Sequence, residues 1–244
     1  MISKSSIIDN LKTLFYAFII AIVIRSFLLQ PFYIPSSSME PNLLIGDRLF
    51  VTKYSYGYSK HSLPFSPNII NGRILFSNPK RGDVVVFKTP ADNRTDYIKR
   101  LIGLPGDTIQ ITNKKLFLNN KEVQRKKIKN YIKINCGDEI LDATFYEETL
   151  PNGISYISVY RNKGTMINTD KFIVPDNHYF FMGDNRDCSK DSRFLSSVGY
   201  VNFNNFVGKA QIIFFSNDIN KGNFFKFWKW NKSIRFNRLF NKIN

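Results

Sequence analysis

The chain has 244 residues, 43% of them hydrophobic and 15% aromatic, which is enough apolar surface for a packed core and sets disorder aside. A net charge of +16 suits nucleic acid, anionic lipid or a proteome rich in Lys, Ile and Asn; with no Gly-rich phosphate loop, zinc-finger spacing or RNA-binding signature, nucleic acid is not expected as a partner. Cys136, Cys188, His61 and His178 are too dispersed for a metal set, so no metal is expected, and the two cysteines stay open between one disulfide and two buried thiols.

The abundance of Tyr, Phe and Ile, punctuated by Asn-containing turns, Gly and Pro, favours a mainly β fold. After a short tail over residues 1–10, the stretch 11–29 is almost wholly apolar. As a helix its roughly 19 residues would span about 28 Å, close to the hydrocarbon thickness. No small-x-small cleavage site follows it; Gln30-Pro31 comes instead, which favours a retained anchor over a removed leader. Lys4 and Lys12 on one side balance Arg25, Arg48 and Lys53 on the other, so charge does not set the orientation.

From Gln30 to Lys53 the chain reads as extended and proline-punctuated, and from Tyr56 to Lys80 as loop. Asp83–Lys88 is a strand whose Val84-Val85-Val86-Phe87 run suits burial on both faces, and Asp96–Ile102 is another, ended by the turn Gly103–Asp107. Ile109 and Ile111 alternate with polar residues, Asn119-Asn120 sits at a hairpin turn within Lys115–Val123, and Pro151-Asn152-Gly153 joins Thr144–Leu150 to Ile154–Tyr160. Phe172–Met182 then returns as one strand. The expected organisation is a core of 30–106 and 175–216, an inserted β subdomain at 107–174, and a basic aromatic tail at 217–244. In the tail Phe224, Phe225, Phe227, Trp228 and Trp230 mix with Lys221, Lys226, Lys229, Lys232, Arg235 and Arg238; this composition suits a bilayer interface, or an irregular tail with some rings packed on the body.

The chemistry-bearing residues begin with Ser36, Ser37 and Ser38, set between Pro35 and Pro41 just beyond the span. Neither histidine has a signature tying it to this loop, so a serine nucleophile here needs another base, and a desolvated lysine can serve. Lys99 lies between Tyr97, Ile98, Leu101 and Ile102 in a strand-like run. Burial there would lower its pKa from about 10.4 toward about 7 to 8, making it able to take a serine proton.

Four stretches carry a family likeness in order and spacing: Ile34–Asp47 (IPSSSMEPNLLIGD), Lys80–Lys88 (KRGDVVVFK), Asp96–Asp107 (DYIKRLIGLPGD) and Gly183–Arg193 (GDNRDCSKDSR). Together they resemble the signature boxes of bacterial type I signal peptidases, from the anchor to about Ala210. The resemblance implies a signal-peptidase-like antiparallel β fold with an inserted β subdomain behind one N-terminal transmembrane helix, and a Ser-Lys dyad that cleaves exported precursors after Ala-x-Ala-type sites without metal or organic cofactor. It assigns Ser38 as nucleophile and Lys99 as base. Ser36 would join the Ser38 backbone N–H in the oxyanion hole, Ser189 would orient the lysine, and Asp191 and Arg193 would form a supporting ion pair. Ile34, Pro35, Met39, Leu43, Tyr97 and Ile98 match positions lining the substrate pockets. The implied partners are signal-peptide-bearing precursors and membrane lipid, and the implied location is the bacterial inner membrane, single-pass, with the catalytic domain on the periplasmic side. Departures from the family pattern are Ser37 for a frequent glycine, Asn42 for a common threonine, Cys188 for a common asparagine, and one span where some relatives have two. A self-cleaving LexA-like repressor would carry a DNA-binding helix pair where the apolar span lies, and a noncatalytic membrane-surface module would not need Ser36, Ser38, Lys99 and Ser189 together.

Overall fold

The computed structural model describes residues 4–137, 139–164, 166–218, 220–222, 228 and 230–243. The apolar run forms α1 (Lys4–Val23), continued by a π-helical turn, Ile24–Leu28, that passes directly into β1 (Leu29–Tyr33). The helix thus starts earlier than the expected anchor and ends one residue sooner: its apolar stretch is Ile7–Leu28, and Leu29 already pairs with Thr52. The chain continues through β2 (Asp47–Thr52), β3 (Val84–Lys88), β4 (Asp96–Gly103), β5 (Thr108–Thr112), β6 (Lys115–Leu118), β7 (Lys121–Glu122), β8 (Gln124–Cys136), β9 (Glu139–Thr149), β10 (Ser155–Arg161), β11 (Phe172–Ile173), β12 (His178–Met182), β13 (Val201–Asn202) and β14 (Phe206–Ser216). A short α2 (Trp230–Ser233) and β15 (Asn241–Lys242) close it.

The protein is mainly β, and the named strands pair antiparallel throughout. The main sheet runs β1-β2-β14-β3-β4-β12-β13, with β15 added to β14; β10-β9-β8 and β11-β5-β6-β7 form two smaller sheets. The central position of β3 explains its unbroken apolar run. Val84 and Val86 enter one core with Ile34, Met39, Leu43, Leu49 and Val51, while Val85 and Phe87 enter another with Leu101, Phe181 and Phe206. A strand covered on both faces has no polar side to alternate with.

The extended chain Gln30–Lys53 contains most of β1 and all of β2; β1 is an edge strand, where Pro31 costs no ladder bond it would otherwise have to donate. One expectation changes. Phe172–Met182 is not one strand: Pro175 and Asn177, which has φ of 58°, break it, so that β11 joins β5 and β12 joins β4. The turn residues behave as read, with Asn119 and Asn120 both at positive φ (51° and 61°) between β6 and β7.

In the tail, β15 pairs with Ile212 and Ile213 of β14, and Arg235 and Arg238 both meet the buried Asp47. Those two cations therefore face the body rather than lipid. Trp228 is 63% exposed and Trp230 is 37% exposed. Phe224, Phe225, Lys226, Phe227 and Lys229 lie outside the described residues.

Candidate active site

Ser38 sits in a single 3₁₀ turn, Ser37–Met39, between β1 and β2. Its backbone is clamped from the far side of the molecule. The Asn185 N–H donates to the Ser38 carbonyl at 3.1 Å and the Asn185 side-chain amide donates to the Ser37 carbonyl at 3.1 Å. Lys99 comes from β4, paired with Val85 of the central strand, which puts it inside the sheet rather than at an edge. Its Nζ donates to Ser38 Oγ at 2.6 Å and to the Ile98 carbonyl at 2.9 Å, and lies 5.4 Å from the centre of the Tyr97 ring.

Lys99 is only 3% exposed. Burial pushes its pKa down to about 8; Asp191 and Asp184 oppose that shift and Arg193 reinforces it. An amine poised there is partly neutral near physiological pH, and the neutral form can accept the proton that the ammonium now donates to Ser38. Ser36 Oγ stands 3.4 Å from Ser38 Oγ.

The turn after β12 forms the wall behind the dyad. Asp191 accepts from Arg193 Nε at 2.8 Å and from the Gly183 N–H at 2.9 Å; burial raises its pKa, but Arg193 and these bonds outweigh that and hold it low. Ser189 contributes to lowering Asp191, yet its buried hydroxyl has no partner at full hydrogen-bond geometry, Lys99 included. Gly183 has no room for a side chain: a Cβ there would lie 2.2 Å from Ser189 Oγ and 2.5 Å from the Ser38 carbonyl oxygen. Asp184 takes Arg100 in a two-pronged ion pair, at 2.8 and 2.9 Å, and Asn42 at 2.7 Å. Cys136 and Cys188 form a disulfide, which resolves the alternatives left open by the sequence and ties the end of β8 to this turn.

A cavity of about 620 Å³ opens over the dyad, lined by Pro35, Ser36, Ser38, Tyr97, Ile98 and Lys99, with Gly137 and Cys188 among its other walls. Ile34, Met39 and Leu43 are not on that surface; they are buried beneath it in the same core as Val84. The structure thus brings Ser36, Ser38, Lys99, Ser189, Asp191 and Arg193 to one place. Sequence reasoning assigned no role to Gly183, Asp184, Asn185, Asn42 or Arg100. Their signal was available: a Gly-Asp-Asn-Arg run directly after the apolar strand Tyr179–Met182 puts polar groups where the core has just ended, and such groups must find partners.

The sequence is similar to those of known proteins. The family model described as signal peptidase, peptidase S26, matches residues 7–215. The chain is 43% identical over 249 residues to signal peptidase I of Rickettsia conorii, covering 93% of this chain and 91% of that protein. It is 42% identical over 248 residues to signal peptidase I of Rickettsia prowazekii, again covering 93% and 91%. A crystal structure of a signal peptidase I from Enterococcus faecalis matches with a TM-score of 0.32 at 24% identity, covering 55% of this chain and 97% of that one.

Proposed function

The chain belongs to the peptidase S26 signal peptidase family, serine endopeptidases that act on signal-peptide-bearing precursors, and from that premise we propose that it is a membrane-bound Ser-Lys enzyme cutting after Ala-x-Ala-type sites. The observation that carries this reading is the 2.6 Å contact between Ser38 Oγ and the amine of Lys99, a residue only 3% exposed.

Neutral Lys99 takes the Ser38 proton as Oγ adds to the scissile carbonyl carbon. The oxygen that gains the charge is held by the Ser36 hydroxyl and the Ser38 backbone N–H. The Lys99 ammonium, kept in place by the Ile98 carbonyl, gives its proton to the departing amine of the mature protein, leaving an acyl-enzyme on Ser38. Lys99, neutral again, then takes a proton from water as that water attacks the ester, and returns it to Ser38 Oγ when the signal peptide leaves. Ser189 and the Asp191–Arg193 pair fix the wall against which Lys99 is held. The substrate side chains meet an apolar surface made by Pro35, Tyr97 and Ile98 over the packed floor of Ile34, Met39 and Leu43.

The 7–28 helix serves as a single membrane anchor. Nine residues separate Leu29 from Ser38, a reach of at most roughly 30 Å, so the dyad works close to the bilayer, where a membrane-held signal peptide presents its cleavage site. The disulfide favours the extracytoplasmic side of the inner membrane, since thiols on the cytoplasmic side are kept reduced. Residues 30–106 and 175–216 form the catalytic core, and 107–174 an inserted β subdomain whose Cys136-Gly137 end borders the cavity.

The test is cleavage of a purified Ala-x-Ala precursor by the detergent-solubilised full chain, with the new N-terminus sequenced. Wild type is expected to cut after the second Ala, and Ser38→Ala and Lys99→Ala to be inactive. Cutting that survives both substitutions overturns the dyad.

A further inference from the structure

A second cavity, of about 370 Å³, opens at the end of the membrane span and is lined by Arg25, Lys53, Lys88, Arg94, His61 and Asp96, with Phe65 among its other walls. Four cations share it with one carboxylate, and Asp96 is already paired with Lys88 at 2.9 Å. Arg25, Lys53 and Arg94 have no carboxylate partner among the described residues. Lys53 is 2% exposed, and among the described residues its amine donates to the Ser62 carbonyl, at 2.5 Å. A buried cation without an anion is costly, and a bound anion relieves that cost. The local field is positive enough to register on both titratable neighbours. Burial first, then Arg25, brings Lys53 down to about 8 against the opposing pull of Asp96, and burial first, then Lys60, Lys88, Arg73 and Lys53, brings His61 down to about 4.

The position is fixed relative to the span. Tyr58 donates from its hydroxyl to the Phe27 carbonyl at 3.0 Å and packs edge-on against the Phe27 ring, and the Lys53 N–H donates to the Leu28 carbonyl at 3.1 Å. The loop so attached carries fully exposed Phe65, together with Ile69 (74% exposed) and Leu75 (80% exposed). An isolated anion site needs no apolar rim. A cationic hollow at the depth where the span ends, with uncovered Phe65 in its wall and uncovered Ile69 and Leu75 on the same loop, matches an amphiphile whose phosphate enters the hollow and whose chains lie against that loop.

We propose that this cavity binds the phosphate-bearing headgroup of one anionic phospholipid, with Arg25, Lys53 and Arg94 as its cationic contacts and Phe65 against its acyl chains. The lipid would hold the loop Tyr54–Phe76 down on the membrane at a fixed height. The shared chemistry with free phosphate is the anion; the rim assigns the lipid.

The test is native mass spectrometry of the full chain in detergent micelles, titrated with phosphatidylglycerol or phosphatidylcholine, with and without excess inorganic phosphate. Wild type is expected to hold one phosphatidylglycerol in preference to phosphatidylcholine, undisturbed by phosphate. Arg25→Gln/Arg94→Gln is expected to bind it about thirtyfold more weakly, at about 1 kcal/mol for each basic residue removed from an anionic lipid surface. Arg94→Gln alone, an exposed position, gives the same direction if the double variant fails to fold, and Phe65→Ser weakens the lipid while leaving the cations in place. Equal retention by the variants and wild type, or no preference for the anionic lipid, overturns the site. Displacement of the lipid by phosphate overturns the lipid assignment in favour of a free anion.

Discussion

Replacing Lys99 by methionine is expected to abolish cleavage and, at neutral pH, to stabilise the fold. Burial holds the amine near 8 instead of 10.5. At about 1.4 kcal/mol per pH unit that difference corresponds to about 3 kcal/mol. The folded pKa lies below the unfolded one, so between pH 8 and 10.5 the unfolded chain binds more protons and stability rises with pH. Below pH 8 the wild type carries the whole penalty, and above 10.5 none of it. Methionine has similar length and no charge. Losing the two bonds, to Ser38 Oγ and the Ile98 carbonyl, takes back about 1 kcal/mol each, leaving a gain of about 1 kcal/mol at pH 7. In a chain of this size that raises Tm by roughly 2–4 °C. The assay is thermal unfolding of both proteins in the same micelles from pH 6 to 10, beside the pH profile of wild-type kcat/KM, which should climb about tenfold per pH unit and level off near 8. A methionine variant that melts at or below wild type at pH 6–7, or a rate profile without an inflection near 8, refutes the desolvated amine.

Gly183→Ala should reduce kcat by about 100-fold or more with the fold retained, because the new methyl displaces the Ser38 carbonyl and the Ser189 side chain, and misplacement by about 1 Å is worth that much; near-normal kcat would mean the contact is slack. Arg193→Gln should move the rate inflection above pH 8, since Asp191 then faces Lys99 uncompensated, and should lower stability by about 3 kcal/mol or more; an unmoved inflection detaches the pair from the amine. Cys136→Ser/Cys188→Ser opens a loop of 52 residues and should cost up to about 4 kcal/mol in unfolding experiments; unchanged stability would show that the disulfide does not brace the turn it joins.

What could be read from the sequence follows the range over which each constraint acts. The strand at Val84–Phe87, the Asn119-Asn120 hairpin and the apolar helix were legible because each declares itself within a few residues. The break at Pro175–Asn177 was missed because the apolar residues on both sides look like one strand, although they enter different sheets. The dyad residues were legible through four short boxes, but the clamp of Asn185 on the Ser37 and Ser38 carbonyls was not. It joins positions 148 residues apart, and nothing near either end specifies the other. Likewise Arg235 and Arg238 read as surface cations until Asp47, almost the whole chain away, supplied their partner. Ile34, Met39 and Leu43 show the converse: they lie in the segment around Ser38, between β1 and β2, yet all three pack into the core with Val84.

The buried charges around the dyad pose a physical question, because a neutral lysine and ionised carboxylates are poor neighbours. One unpaired carboxylate within about 4–6 Å raises a lysine pKa by 1 or more. Here each carboxylate behind the serine turn is already matched: Asp184 by Arg100, Asp191 by Arg193 and Glu148 by Arg186. Such pairs contribute little net stability compared with apolar packing, so stability does not explain them. What they do supply is directional bonds to the backbone. Arg100 reaches the Gly82 carbonyl, Arg193 the Arg186 carbonyl, and Asp191 the Gly183 N–H beside Ser38. A polar wall summing to near zero charge can therefore hold the turn in register without recharging the amine, which leaves Lys99 with Ser38 Oγ and a carbonyl as its hydrogen-bond partners and no carboxylate of its own.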